Sequence, residues 1–83
     1  MDPRYWTKSV GLELGGLAQV EIVRSTHQAA TVLSHWPPGK QGEAYIEAKR
    51  VCRAVLKDDA PSQIARDVFI RAAEVAGILI RKK

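Results

Sequence analysis

Cys52, His27 and His35 are the residues of this chain whose side chains can attack an electrophile or hold a soft metal, and their spacing argues against both. A nucleophilic thiol needs its pKa lowered by a helix N-terminus, a nearby cation or an imidazole. Cys52 instead falls mid-helix on an apolar stripe with Ala44, Ala48, Val51 and Val55, while Lys49 and Arg53 point away from that stripe. The expectation is an inert core cysteine. His27 and His35 lie eight residues apart, roughly 80° around a helix and two turns along it. No second cysteine or local carboxylate completes a tetrahedral set, so both are expected at the surface, without a metal. Neither Gly15-Gly16 nor Gly39 with Gly42 carries the glycine and lysine pattern of a phosphate-binding loop. The residues therefore predict no catalytic site and no cofactor, and the chain reads as a protein that is not an enzyme.

The other residues that suggest binding are basic. The chain has 13 lysines and arginines against 9 acidic residues, a net charge of +4. Removing Arg81, Lys82 and Lys83 leaves ten basic and nine acidic residues, so the basicity belongs mainly to the tail. Within the body, Lys49, Arg50, Arg53 and Lys57 form the strongest basic feature. Glu43 and Glu47 precede them on the same predicted helix, the distribution that complements a helix dipole without any ligand. Phosphate contact through these four residues and the tail is the alternative reading, and it predicts steep salt dependence.

Aromatic residues supply the remaining candidates. Trp36 precedes Pro37-Pro38 and shares a helical face with Ala29, Val32 and Leu33, so it is expected to plug one end of the core. Tyr5 and Trp6 precede the first predicted strand, where they either cover an open sheet edge or stay exposed as a partner-binding patch. With Ile78 and Ile80 they are the candidate interaction residues.

Period-2 alternation positions the first elements. Val10, Leu12 and Leu14 alternate with Gly11 and Glu13, and Val20 and Ile22 alternate with Gln19 and Glu21. A two-residue Gly15-Gly16 loop would pair Leu12 with Gln19 and mix polar with apolar groups. A three-residue loop from Gly15 to Leu17 pairs Leu14 with Ala18, Leu12 with Val20 and Val10 with Ile22, giving one apolar face, and is the predicted register. A capping box at Ser25 and Gln28 starts the first helix, of about ten residues, which Pro37-Pro38-Gly39 stops. The second helix is predicted from about Gly42 to Lys57. The third opens at Pro61-Ser62, with Ser62 or a neighbour as cap. It buries Ile64, Ala65, Val68, Phe69, Ala72, Ala73 and Ala76. Gly77 suits the left-handed position that ends it, with Ile78 covering the last turn, and Leu79-Ile80 can add a short third strand.

Composition sets the frame. Eighty-three residues, 46% hydrophobic and 27% charged, suit one small ordered domain over residues 1–83, with an N-terminal segment 1–7 and a basic tail 79–83. The first residues lack a basic stretch followed by an apolar run, so no secretory signal is expected. The longest apolar stretch, Val75 to Ile80, has six residues, far below the ~20 of a membrane-crossing helix. One cysteine excludes an internal disulfide and suits a reducing compartment; the expected location is the cytoplasm.

Several of these positions together carry a resemblance. They are Tyr5-Trp6, then Gln28-Ala29-Ala30 with Leu33 and Trp36-Pro37, then Gly42, Ala48 and Cys52, then Ala65-Arg66, Phe69-Ile70, Ala72-Ala73 and Ala76-Gly77. Over roughly Tyr5 to Ile78 the chain resembles a family of short alpha-proteobacterial proteins known only as a domain of unknown function. The resemblance implies a small α+β domain and supplies no catalytic residues. Lys57-Asp58-Asp59 stands where that family more often has a glycine, so the connection before the third helix is expected to differ locally.

The sequence thus predicts an α+β fold, an N-terminal antiparallel β-hairpin followed by three packed helices with a short C-terminal strand. Its expected role is a non-catalytic protein-interaction module whose partner is another protein or a second copy, with nucleic-acid binding as the alternative.

Overall fold

The computed structural model describes residues 5–13, 20–36 and 38–80. Strand β1 runs Tyr5–Glu13 and β2 Val20–Ser25, followed by helix α1 at Thr26–Leu33, α2 at Glu43–Leu56, α3 at Ser62–Ala76 and strand β3 at Leu79–Ile80. The three strands form one antiparallel sheet in the order β2-β1-β3. The chain is therefore α+β, with the expected hairpin, three helices and short third strand. β1 begins at Tyr5, inside the stretch 1–7 read as an N-terminal segment, and Tyr5 pairs with Ser25.

The helices end where local chemistry requires. Ser25 caps α1, its Oγ accepting from the Gln28 backbone N–H at 3.1 Å. The Gln28 side chain does not close the box on the cap itself. It reaches past it, taking the Arg24 N–H at 2.8 Å and donating to the Ile22 carbonyl at 2.8 Å. Gly77 ends α3 at φ 72°, with its N–H on Glu74 O and the Ile78 N–H on Ala73 O, the pairing that satisfies the last carbonyls of a helix. The end of α2 has the same pattern, Asp58 N–H on Val55 O and Asp59 N–H on Ala54 O. There Asp58 occupies the left-handed region at φ 62°. In the connection expected to differ locally, a side-chain-bearing residue is thus held in a conformation that glycine adopts freely. At the start of α3 the cap position falls to Ser62's neighbour, Pro61, which makes no side-chain cap hydrogen bond.

The core gathers on one sheet face under the three helices. Phe69, fully buried, stands between Trp6 and Trp36, with ring centroids at 5.6 and 5.9 Å. Trp36 plugs the core as expected, and its Nε1 donates to Lys40 O at 3.1 Å. The second helix buries Tyr45 in addition to Ala48, Val51, Cys52 and Val55, while Ala44 is half-buried. On α3, Ile64 is exposed and Val68 half-buried, so the buried stripe is narrower than predicted, mostly alanine around Phe69.

The hairpin register differs from the predicted one. Val10 pairs with Val23, Gly11 with Ile22, Leu12 with Glu21 and Glu13 with Val20. This is one residue away from pairing Leu12 with Val20 and Val10 with Ile22; the expected Leu14–Ala18 pair and its loop lie outside the described residues. Because side chains alternate, a shift of one residue moves the whole strand's apolar set to the other face. Val23 is buried, and Val20 and Ile22 point outward. The cause is the direct passage of β2 into α1. Ser25 must face the helix it caps and Thr26 must reach the core, where its Oγ1 accepts from Trp6 Nε1 at 3.1 Å. Val23, two residues before Ser25, is carried inward with it. β1 absorbs the mismatch in a bulge: from Tyr5 to Val10 it advances five residues while its partner positions on β2 move from Ser25 to Val23.

Candidate interaction surface

The slipped register creates the most distinctive surface on the molecule. On the sheet face turned away from the helices, Gly11 lies between Ile22 of β2 and Ile80 of β3. A Cβ placed on Gly11 would stand 3.6 Å from Ile80 Cβ and 3.7 Å from Ile22 Cδ1, ordinary contact distances. Glycine thus leaves a notch between two isoleucines. Val20, opposite Glu13, extends the row. Exposures of 54% for Val20 and 37% for both Ile22 and Ile80 place three large apolar side chains together in water. The notch belongs to an open groove of about 810 Å³ that continues past the β1 edge at Lys8 to Arg66 and Ile70 of α3. Arg66 Nε donates to the Lys8 carbonyl at 3.0 Å and joins the helix to the bulged part of β1.

The sheet edges beside this face are unequal. In a strand, alternate residues direct their backbone groups to opposite sides, so the groups of Ile22 and Arg24 point away from β1. The Gln28 amide occupies one from each, imitating the peptide group of a neighbouring strand. An edge covered by side-chain hydrogen bonds is a poor template for another strand. Among the described residues, β3 offers Leu79 and Ile80.

Among the candidate interaction residues, Ile80 belongs to this surface, whereas Trp6 and Ile78 are buried in the core, at 9% and 7% exposure. The backbone of Tyr5 lies in β1. Lys49, Arg50, Arg53 and Lys57 are exposed along α2. Two of them have intramolecular partners. Arg50 grips Glu47, with Nη2–Oε2 at 2.6 Å and Nε–Oε1 at 3.3 Å, and the Lys49 ammonium stands 5.3 Å from the Tyr45 ring centroid. Arg81, Lys82 and Lys83 lie outside the described residues. Cys52 is buried, and burial pushes its thiol up to about 12 from an ordinary 9.0, the reverse of what a nucleophile needs. His27 and His35 are exposed, and among the described residues no group of three or more His, Cys, Asp or Glu is placed to hold a metal ion.

With this geometry in view, comparison with known proteins becomes informative. The family model described as Protein of unknown function (DUF982) matches residues 8–80. The chain belongs to that family. Among solved structures, the chain is similar to that of the Agrobacterium tumefaciens protein Atu1219, determined by NMR, to which it is 32% identical. The match has a TM-score of 0.76 and covers 99% of this chain and 81% of that one. No curated protein matches the chain. The likeness supports the α+β fold and its alpha-proteobacterial association, and it carries no activity.

Val20, Ile22 and Gly11 were not among the residues that sequence reasoning selected for function. The signal that finds them is the adjacency of Ile22 and Val23. Two neighbouring apolar residues cannot both face inward on a strand, and Val23 shares its phase with Ser25, the residue that caps α1 just before Thr26 meets Trp6.

Proposed function

We propose that this DUF982 protein acts through protein contact, with a second copy of itself as its first partner, and that it is not a catalyst. The observation carrying this reading is the row of Val20, Ile22 and Ile80 on the sheet face turned away from the helices. A contiguous apolar patch of this kind on a small domain favours covering by another surface. Among the described residues, the titratable lining of the groove beside it is Lys8 and Arg66, two cations that make no acid–base pair. A buried, unreactive thiol suits work in the reducing cytoplasm. Light scattering from micromolar to millimolar protein tests the reading. A dimer is expected, and a monomer throughout would overturn self-association.

Nucleic-acid binding through Lys49, Arg50, Arg53 and Lys57 is weaker, since a phosphate must compete with Glu47 for Arg50 and with the Tyr45 ring for Lys49. Retention on DNA or RNA at low salt, lost as salt rises and in Arg50→Glu/Arg53→Glu, would favour it instead.

A further inference from the structure

Resting on the self-association reading, we infer that the second copy docks face to face on the outward side of the sheet, by a two-fold contact in which the acidic end of one copy meets the basic end of the other. Three observations lead there. First, the row through Ile22, Gly11 and Ile80 is apolar and notched at Gly11, so two such rows can approach closely where glycine faces glycine. Second, the face is polarised along the strands. Glu13 stands two residues beyond Gly11 in one direction, and Arg24 stands two residues beyond Ile22 in the other; both are exposed, and strand alternation turns both outward because Leu12 and Val23 face the core. Each charge is therefore about 7 Å from the central row, at opposite ends. Lys8 adds a second cation at the Arg24 end, as part of the groove wall.

A two-fold axis lying in the contact plane and crossing the strands at Gly11 turns the second sheet antiparallel to the first. It sets Glu13 over the partner's basic end and repeats the contact on the other side. Sheets packed face to face keep their strands within about 30° of alignment, which long Arg and Lys side chains can span. An axis along the strands instead stacks Glu13 on Glu13 and Arg24 on Arg24, so charge selects the antiparallel arrangement. Third, two of the strand edges offer an edge-to-edge contact little backbone: Gln28 covers β2 at Ile22 and Arg24, and β3 has two residues among those described.

The experiment uses the full chain and two charge reversals, Glu13→Arg and Arg24→Glu, each checked for native circular dichroism and followed by sedimentation equilibrium. The wild type is expected to dimerise, and each single reversal should weaken dimerisation at least roughly tenfold, since symmetry makes every reversal act twice. The double reversal should return to within a few-fold of wild type. An equimolar mixture of the two single variants should also associate, because one copy then presents two cations where the other presents two carboxylates. Single variants that dimerise as wild type would overturn the face-to-face contact while leaving self-association standing. A wild type that stays monomeric at millimolar concentration would overturn both.

Discussion

Raising the pH should weaken this protein through one buried thiol, and the size of the effect follows from where Cys52 sits. It is 1% exposed on the inward stripe of α2, and burial raises its pKa from 9.0 to about 12. A group that holds its proton more tightly when folded contributes stability that is complete below the unfolded pKa and is lost as pH rises toward the folded one. The unfolded chain releases this proton near pH 9, the folded chain near 12, and between them stability falls by about 1.4 kcal/mol per pH unit. At pH 10.5 the loss from Cys52 is therefore about 2 kcal/mol. For a domain of this size, with a total stability of roughly 4–12 kcal/mol, that is a large fraction.

Tyrosine and lysine also titrate in this range, so the assay is a difference. Urea unfolding of wild type and Cys52→Ala at pH 7 and pH 10.5, under reducing conditions, removes contributions common to both proteins. The gap between them should move by about 2 kcal/mol in favour of the alanine variant as pH rises. A gap that stays constant would refute the reasoning, because the folded thiol would then ionise as easily as the unfolded one and Cys52 would have to be reachable by water. The same burial predicts that a thiol reagent modifies Cys52 only as fast as the protein opens.

Other perturbations test the local arguments. Thr26→Val removes the acceptor of the buried Trp6 Nε1–H and should cost about 1–3 kcal/mol in urea unfolding, with a much smaller cost in a Trp6→Phe background that lacks the donor. At Asp58, held in the left-handed region at φ 62°, Asp58→Gly should be more stable than Asp58→Ala by about 0.5–1 kcal/mol, seen as a few degrees in Tm, since both remove the carboxylate and only glycine relieves the conformation; equal Tm values would count against it. Gln28→Ala uncovers the β2 edge and should speed hydrogen exchange of the Arg24 amide at least roughly tenfold relative to amides facing β1; unchanged exchange there would count against the edge-cover role.

The helices were legible in the sequence because their signals are local. A serine before an apolar period, a proline pair after Trp36 and a glycine after Ala76 act within one turn of the chain, and α1, α2 and α3 begin and end within a residue or two of where these place them, except that α1 ends three residues short of Trp36. The stripe through Ala48, Val51, Cys52 and Val55 was equally legible, since 3.6-residue periodicity needs no knowledge of the partner surface. The hairpin register was not. Val20-Glu21-Ile22-Val23 satisfies two strand phases, and the alternation that looked complete used the wrong one. What decides between them is a non-local demand, that Ser25 and Thr26 meet α1 and Trp6 on the core side. Trp6 illustrates the same limit: its indole is committed to a hydroxyl twenty residues away, a contact that spacing along the chain does not encode.

The register and the surface are consequences of one constraint. When a strand passes straight into a helix, the residue that caps the helix also fixes which strand side chains face in. Placing Ser25 inward buries Val23, and the price is that Val20 and Ile22 face water. The alternative phase would bury those two side chains but would turn the Ser25 hydroxyl away from the Gln28 N–H and expose Val23. Against roughly 1 kcal/mol for the cap stands roughly 1.5–3 kcal/mol for each fully buried aliphatic side chain. On the monomer alone, then, the cap does not justify the phase. The Trp6–Thr26 hydrogen bond adds to the observed side, because the indole N–H would otherwise be buried without a partner. A second copy over the outward face would add more, returning to Val20, Ile22 and Ile80 the burial that the monomer forgoes.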